Sequence, residues 1–250
     1  MTVKTCIITG FGINSDRDLA GAFETAGSET KLIHINDLIG NPEILEEFQI
    51  LGFPGGFSFG DHLGSGLVFA NLFRKNLKSS LQKFIAEGKL ILGICNGFQV
   101  LVKMGVLPNL SGSWNPEVTL VHNDCGTFID DWVKLEKKKD SACVWLDGID
   151  EIELPVRHGE GRFITASEDI LDTIKSENLD VLKYSGWNPN GSTENIAGIT
   201  DRTGRILGLM PHPEAFIEAE NHPLWSRKKI DHGFGLDIIK NGVDYFKNGE

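Results

Sequence analysis

The sequence predicts an α/β fold: an open, mostly parallel sheet with helices on both faces and a small antiparallel insert. Three observations carry this. Short apolar runs alternate with amphipathic stretches through the first half of the chain. One run, Leu90-Ile91-Leu92-Gly93-Ile94, is apolar throughout, as a strand buried on both faces must be. Glycines punctuate the ends of the apolar runs and of the amphipathic stretches. Strand–helix alternation at this spacing builds parallel sheets with right-handed connections.

The elements follow in order. Cys6-Ile7-Ile8-Thr9 reads as a buried strand ending at Gly10-Phe11-Gly12. Asp16 is a candidate cap for a helix through Ala26, with Leu19, Ala22, Phe23 and Ala26 on one face and Gly27 as its stop. Thr30 to Ile35 and Ile50 to Phe53 read as strands, the latter broken by Pro54-Gly55-Gly56. A helical stripe of Leu77, Leu81, Phe84 and Ile85 precedes the strand at Leu90, and Asn96 to Met104 forms the next helix, closed by Gly105. Between residues 112 and 165 the pattern changes. Val118 to Val121, Phe128 to Leu135, Ala142 to Leu146 and Ile152 to Val156 suggest antiparallel strands decorating the main sheet. A helix over Ser167 to Asn178, strands at Val181 to Tyr184, Ala197 to Thr200 and Ile206 to Met210, and a closing helix from Phe234 to Phe246 complete the reading. No repeat or linker divides the chain, so residues 1–250 are expected to form one domain.

Composition narrows the function. The chain has 24 Lys and Arg against 35 Asp and Glu, a formal charge of −11, which argues against nucleic acid as a partner. The run Lys137-Lys138-Lys139 is flanked by acids and reads as a solvated turn. No stretch approaches the ~20 apolar residues needed to cross a bilayer, and the N-terminus lacks the layout of a secretory signal. A cytoplasmic setting is expected. Cys6, Cys95, Cys125 and Cys143 are scattered and form neither a zinc motif nor a disulfide framework, and no histidine has metal-binding spacing. Cys6 reads as core, and Cys125 and Cys143 as structural.

Chemistry concentrates in a few turns. Gly93-Ile94-Cys95-Asn96-Gly97 follows the buried strand and opens a helix. This G-x-C-x-G spacing is the cysteine counterpart of the G-x-S-x-G nucleophile elbow. The helix N-terminus favours thiolate and offers free N–H groups to an oxyanion. The plainer reading is a buried cysteine at a strand end. Pro54-Gly55-Gly56 follows another buried strand; it aims backbone N–H groups at the same oxyanion or is simply a turn. His212 stands at the end of the strand Ile206 to Met210, between Pro211 and Pro213, with Glu214 on the same side of an extended chain. Such a pair orients and charges an imidazole, or merely decorates the surface. His158, in Arg157-His158-Gly159-Glu160-Gly161, holds a polar ligand or shapes a loop. Gly10-Phe11-Gly12 with Asp37 hints at a dinucleotide site, but Ser15 occupies the third glycine position, and no phosphate-cradling P-loop is present.

The motifs together resemble the class I glutamine amidotransferases, whose sheet is flavodoxin-like. The resemblance rests on Pro54-Gly55-Gly56-Phe57-Ser58-Phe59-Gly60-Asp61, on Gly93 through Gln99, on His158-Gly159-Glu160-Gly161, on Pro189-Asn190-Gly191-Ser192, and on Gly208 through Glu214. It implies Cys95 as nucleophile, His212 as proton carrier and Glu214 as its orienting carboxylate. It implies oxyanion and substrate contacts from Gly55, Gly56, Asn96 and Gln99, and no metal in this chain. Within that family the motif set is most like a glutaminase subunit of purine biosynthesis, which releases ammonia from glutamine. The ammonia passes to a large synthetase subunit, often through a complex with a small bridging protein. ATP and magnesium belong to that synthetase, which converts a formylglycinamide ribonucleotide to the amidine. The His-Gly-Glu-Gly and Asn-Gly-Ser segments are then candidate contact or gating elements. The family's N-terminal turn is only partly kept, in Asn14 and Asp16-Arg17-Asp18, and no arginine follows Leu63. A glutaminase for another acceptor, a hydrolase of γ-glutamyl bonds and a non-catalytic regulatory relative are the alternatives.

Overall fold

The computed structural model describes residues 2–248. One sheet carries nine strands. In chain order its strands are β1 (Lys4–Thr9), β2 (Glu29–His34), β3 (Ile50–Phe53), β4 (Leu90–Ile94), β6 (Ile129–Lys137), β7 (Glu151–His158), β9 (Leu182–Ser185), β10 (Ile196–Thr200) and β11 (Ile206–Leu209). The two remaining strands, β5 (Val118–Val121) and β8 (Arg162–Thr165), pair antiparallel as a separate ribbon. Across the large sheet the order is β2-β1-β3-β4-β11-β10-β9-β6-β7.

The sheet has two halves. From β2 to β11 every pairing is parallel. From β11 to β7 every pairing is antiparallel. In the parallel half β3, β4 and β11 are buried at every residue, which explains their unbroken apolar runs. Fully burying Leu90, Ile91, Leu92 or Ile94 is worth about 1.5–3 kcal/mol each.

Seven α-helices lie among the described residues: α1 (Asp16–Thr25), α2 (Ile35–Gly40), α3 (Leu67–Asn76), α4 (Lys78–Ala86), α5 (Asn96–Met104), α6 (Glu168–Ser176) and the closing α7 (Gly235–Asn248). Helix α1 packs with α7, and α3 packs with α5. The connections β1–α1–β2 and β3–α3–α4–β4 run in opposite directions along the sheet. Right-handed crossovers therefore place the two helix pairs on opposite faces.

Several expectations shift in detail. Ser15, not Asp16, is the N-cap of α1; Asp16 lies in the first turn and its carboxylate accepts from Thr9 Oγ1. An acid in that turn still complements the helix dipole. Ala142 to Leu146 is not a strand. Val144–Leu146 forms a 3-10 turn that buries Trp145, whose indole donates to the Arg205 carbonyl at 3.0 Å. Neither α3 nor β8 is predicted by the sequence reading. Lys138 is more than a solvated turn residue: with Lys183 it neutralises the fully buried Asp180, at 3.2 and 2.9 Å. Cys125 is exposed, whereas Cys6 and Cys143 are buried, and burial pushes the Cys143 thiol up to about 12.

The large sheet is strongly curled. In a flat sheet, five strand spacings would separate β4 from β7 by ~24 Å. Yet Cys95 Sγ, just past β4, lies 3.7 Å from the carbonyl of Arg157 in β7. The amide of His212, just past β11, donates to the Pro155 carbonyl of β7 at 2.8 Å. The antiparallel half therefore folds back over the carboxyl ends of the parallel strands.

Candidate active site

The turns that follow β1, β3, β4 and β11 meet at one end of the sheet, the end where open α/β sheets bind ligands. Cys95 is the hinge between β4 and α5. Its backbone adopts φ 51° and ψ −106°. A non-glycine residue with such a positive φ stores about 1–3 kcal/mol of strain. The neighbouring glycine makes the hinge possible: a Cβ on Gly97 would sit 2.0 Å from the Phe53 carbonyl oxygen. Only glycine lets the first turn of α5 descend this far onto β3. The Cys95 side chain ends up beside the N-terminus of α5.

His212 and Glu214 lie in the turn after β11, and both are buried. His212 Nδ1 and Glu214 Oε1 are 2.6 Å apart. Burial alone disfavours the imidazolium, but the Glu214 carboxylate and Cys95 more than offset it, and the His212 pKa rises to about 10. Its Nε2 is buried without a protein hydrogen-bond partner. The Cys95 thiol points to the Arg157 carbonyl rather than completing a bond to Nε2. Nucleophile–base contacts are often this loose before substrate arrives.

The structure brings Cys95, His212 and Gly56 around a cavity of about 140 Å³. That is smaller than the roughly 300 Å³ of a drug-sized pocket and suits a small metabolite. Gly55 stands against the imidazole; a Cβ there would lie 2.8 Å from His212 Cε1. Asn96 and Gln99 are placed differently from a pocket wall. The Asn96 amide faces away from the cavity, accepting from the Ser58 N–H at 3.3 Å and donating to Gln99 Oε1 at 2.9 Å. Gln99 in turn donates to the Glu160 carbonyl at 2.6 Å. Their side chains act at one remove, by bracing the loops that close the site.

Some of the site was not foreseen. Asn14, Phe57, Phe128 and Arg157 also line the cavity. The Gly10–Gly12 turn is no dinucleotide loop. The Gly12 carbonyl accepts from the Phe57 N–H at 2.9 Å, and Ile13 bridges to Gly56. This turn therefore braces the double-glycine loop. The partial Asn-Ser-Asp-Arg-Asp motif was the available sequence signal for it.

His158 proves to be a loop shaper. It is buried, and burial together with the nearby His212 pushes its pKa down to about 4. Its Nδ1 pairs with Asn123 Oδ1 at 3.1 Å and its Nε2 with the Asn190 amide at 3.4 Å. Asn190 also donates to the Gly161 carbonyl, and Ser192 to Asn190 Oδ1. The His-Gly-Glu-Gly and Asn-Gly-Ser segments are thus two sides of one buried polar network. Among the described residues no group of three or more His, Cys, Asp and Glu side chains is placed to hold a metal ion. No helix among them is long and apolar enough to cross a membrane.

Comparison with known proteins shows the family of the chain. The chain is 43% identical to the phosphoribosylformylglycinamidine synthase subunit PurQ of Dehalococcoides mccartyi, over 97% of each chain. It is 39% identical to the PurQ subunit of Methanococcus maripaludis, again over 97% of each. Its fold matches a chain of the PurLQS structure from Thermotoga maritima with a TM-score of 0.76 at 29% identity, covering 98% of this chain and 100% of that one. A glutamine amidotransferase from T. maritima, 16% identical with a TM-score of 0.57 and full coverage of both chains, shares the fold. A profile of the CobB/CobQ-like glutamine amidotransferase domain matches residues 2–246. The chain belongs to the CobB/CobQ-like glutamine amidotransferase family.

Proposed function

We propose that this chain is the glutaminase subunit of phosphoribosylformylglycinamidine synthase, acting in the cytoplasm. The observation that carries the reading is the Cys95–His212–Glu214 constellation in a chain closely similar, over almost its whole length, to PurQ subunits. Cys95 thiolate attacks the side-chain amide carbon of glutamine. The oxyanion that forms is held by backbone N–H groups at Gly56 and Asn96, an arrangement that typically lowers such barriers by several kcal/mol. Gly55 leaves the imidazole room to lie against the double-glycine loop.

His212, charged through its contact with Glu214, gives a proton to the departing nitrogen. The C–N bond breaks, ammonia leaves, and a γ-glutamyl thioester remains on Cys95. Neutral His212 then takes a proton from water. The hydroxide equivalent attacks the thioester, the C–S bond breaks, and glutamate and the Cys95 thiolate are regenerated. Ammonia passes to a large synthetase subunit, with a small bridging subunit in the complex. That partner binds ATP and magnesium and forms the amidine from the formamide of its ribonucleotide substrate. Gln99 and Glu160 hold the closing loop against α5.

The test is glutamate release by wild type and Cys95→Ala, alone and with the synthetase subunit, ribonucleotide and ATP. Release that the complex stimulates and the substitution lowers by at least about a thousandfold is expected. Equal release by both proteins, or none under any condition, would leave a non-catalytic relative of the fold.

A further inference from the structure

Arg157 has a place in the site that the cysteine mechanism does not use. It lies in β7, half-buried, two residues from Pro155, whose carbonyl accepts from the His212 amide. Its own carbonyl faces Cys95 Sγ at 3.7 Å. Arg157 lines the catalytic cavity, and its guanidinium reaches to 3.4 Å from His212 Nδ1.

That approach gives the guanidinium no acceptor. His212 Nδ1 is already committed to Glu214 Oε1 at 2.6 Å, where a protonated ring nitrogen must donate. Among the described residues no carboxylate forms an ion pair with Arg157, although acids outnumber bases by 35 to 24 in the chain. The neighbours of the cavity supply no substitute. Asn14 and Ser15 are neutral, Phe57 and Phe128 are apolar, and Cys95 and His212 are engaged in the chemistry. A partly desolvated guanidinium without a carboxylate partner is thus held against the catalytic imidazole, in a residue that lines the cavity.

A guanidinium fork matches one chemical group, a carboxylate bound through two parallel N–H···O bonds. Glutamine carries one. Four carbon–carbon bonds of about 1.5 Å separate its α-carboxylate carbon from the amide carbon that reacts. Both ends therefore fall within a single small cavity. We infer that Arg157 is the residue that binds the α-carboxylate of glutamine, and so selects a free amino acid over a glutamine side chain within a peptide. The inference rests on the glutaminase reading above.

The carboxylate is unchanged from glutamine through the thioester to glutamate. An interaction with it is made equally in the ground and transition states, and its loss raises KM while leaving kcat nearly intact. A positioning role through His212 would do the opposite.

The experiment measures kcat and KM for glutamate-side product release by the assembled complex. It compares wild type, Arg157→Gln and Arg157→Lys, each with glutamine and with glutamine whose α-carboxylate is replaced by a carboxamide. For wild type the carboxamide should raise KM by roughly 10- to 100-fold, the range expected for a charge-assisted pair. Arg157→Gln should raise KM for glutamine by a similar factor and lose discrimination between the two compounds. Arg157→Lys should recover part of it. An unchanged preference for glutamine in Arg157→Gln would overturn the inference, as would a fall in kcat at constant KM with both compounds. Failure of the glutaminase reading looks different: wild type itself would then release no product that depends on Cys95. Matching unfolding midpoints for the three proteins separate a binding loss from a folding defect.

Discussion

The two halves of the sheet build the same site by different physics. In the parallel half, geometry is set by the backbone. Cys95 is fixed by a strained hinge between β4 and α5, and Gly97 and Gly55 matter because they lack a Cβ. In the antiparallel half, geometry is set by side chains. His158, Asn123, Asn190 and Ser192 hold the closing loop through buried hydrogen bonds. Close packing tolerates no added atom, whereas a buried polar network tolerates no missing partner. The reacting groups sit on the half whose positions are hardest to deform.

Beyond loss of Cys95 itself, the largest effect should come from Glu214→Gln, which removes the carboxylate that offsets the burial of His212. Glutaminase turnover should fall by about 10²–10⁴, and the His212 pKa, followed by NMR, should drop from about 10. A small loss of turnover would show that the parallel half does not rely on this pair. Next is Gly97→Ala. The added methyl meets the Phe53 carbonyl at 2.0 Å, so denaturant unfolding should show a loss near the top of the ~1–3 kcal/mol range for overpacking. If it were neutral, the closeness of α5 to β3 would not be what shapes the elbow.

Asn190→Ala tests the other half by subtraction. It strips the partner from His158 Nε2 and one of two donors from the Gly161 carbonyl, at about 1–3 kcal/mol for the ring nitrogen left bare. Hydrogen exchange should quicken at Gly161, whose amide donates to Asn123 Oδ1 at 3.0 Å, while amides of β4 stay protected. Uniform acceleration would mean that the halves are not separable.

The last comparison reads the pH dependence of stability. His158 has a folded pKa near 4, below the ordinary 6.5. The unfolded chain binds its proton first, so stability falls as pH drops from about 6.5 to about 4. His212 has a folded pKa near 10, so its contribution is complete below pH 6.5 and is lost as pH rises toward about 10. Replacing His158 with Gln should flatten the acid limb of a thermal-unfolding profile and leave the alkaline limb in place.

Much of this site was legible in the chain. Cys95 between glycines after an apolar run, and His212 two residues before Glu214, are short-range patterns. Their meaning depends on strand–helix geometry that a few residues encode. Gln99 was legible as a motif residue, but not as a brace reaching Glu160 across 61 positions. Ala142 to Leu146 misled because an apolar run around a buried tryptophan looks alike in a strand and in a packed turn. The run fits either period when it is so short.

The amino-acid sequence by itself determined most of the strands, the elbow, the His–Glu pair and the family likeness. All of these rest on spacing along the chain. Only the tertiary structure decided that β7 returns to the site, that Arg157 faces the cavity, and that the glycine-rich and asparagine-rich motifs form one network. The β6–β7 hairpin brings them there because its paired segments Ile129–Val133 and Leu154–His158 run on past the pairing with β9. No local pattern carries that reach.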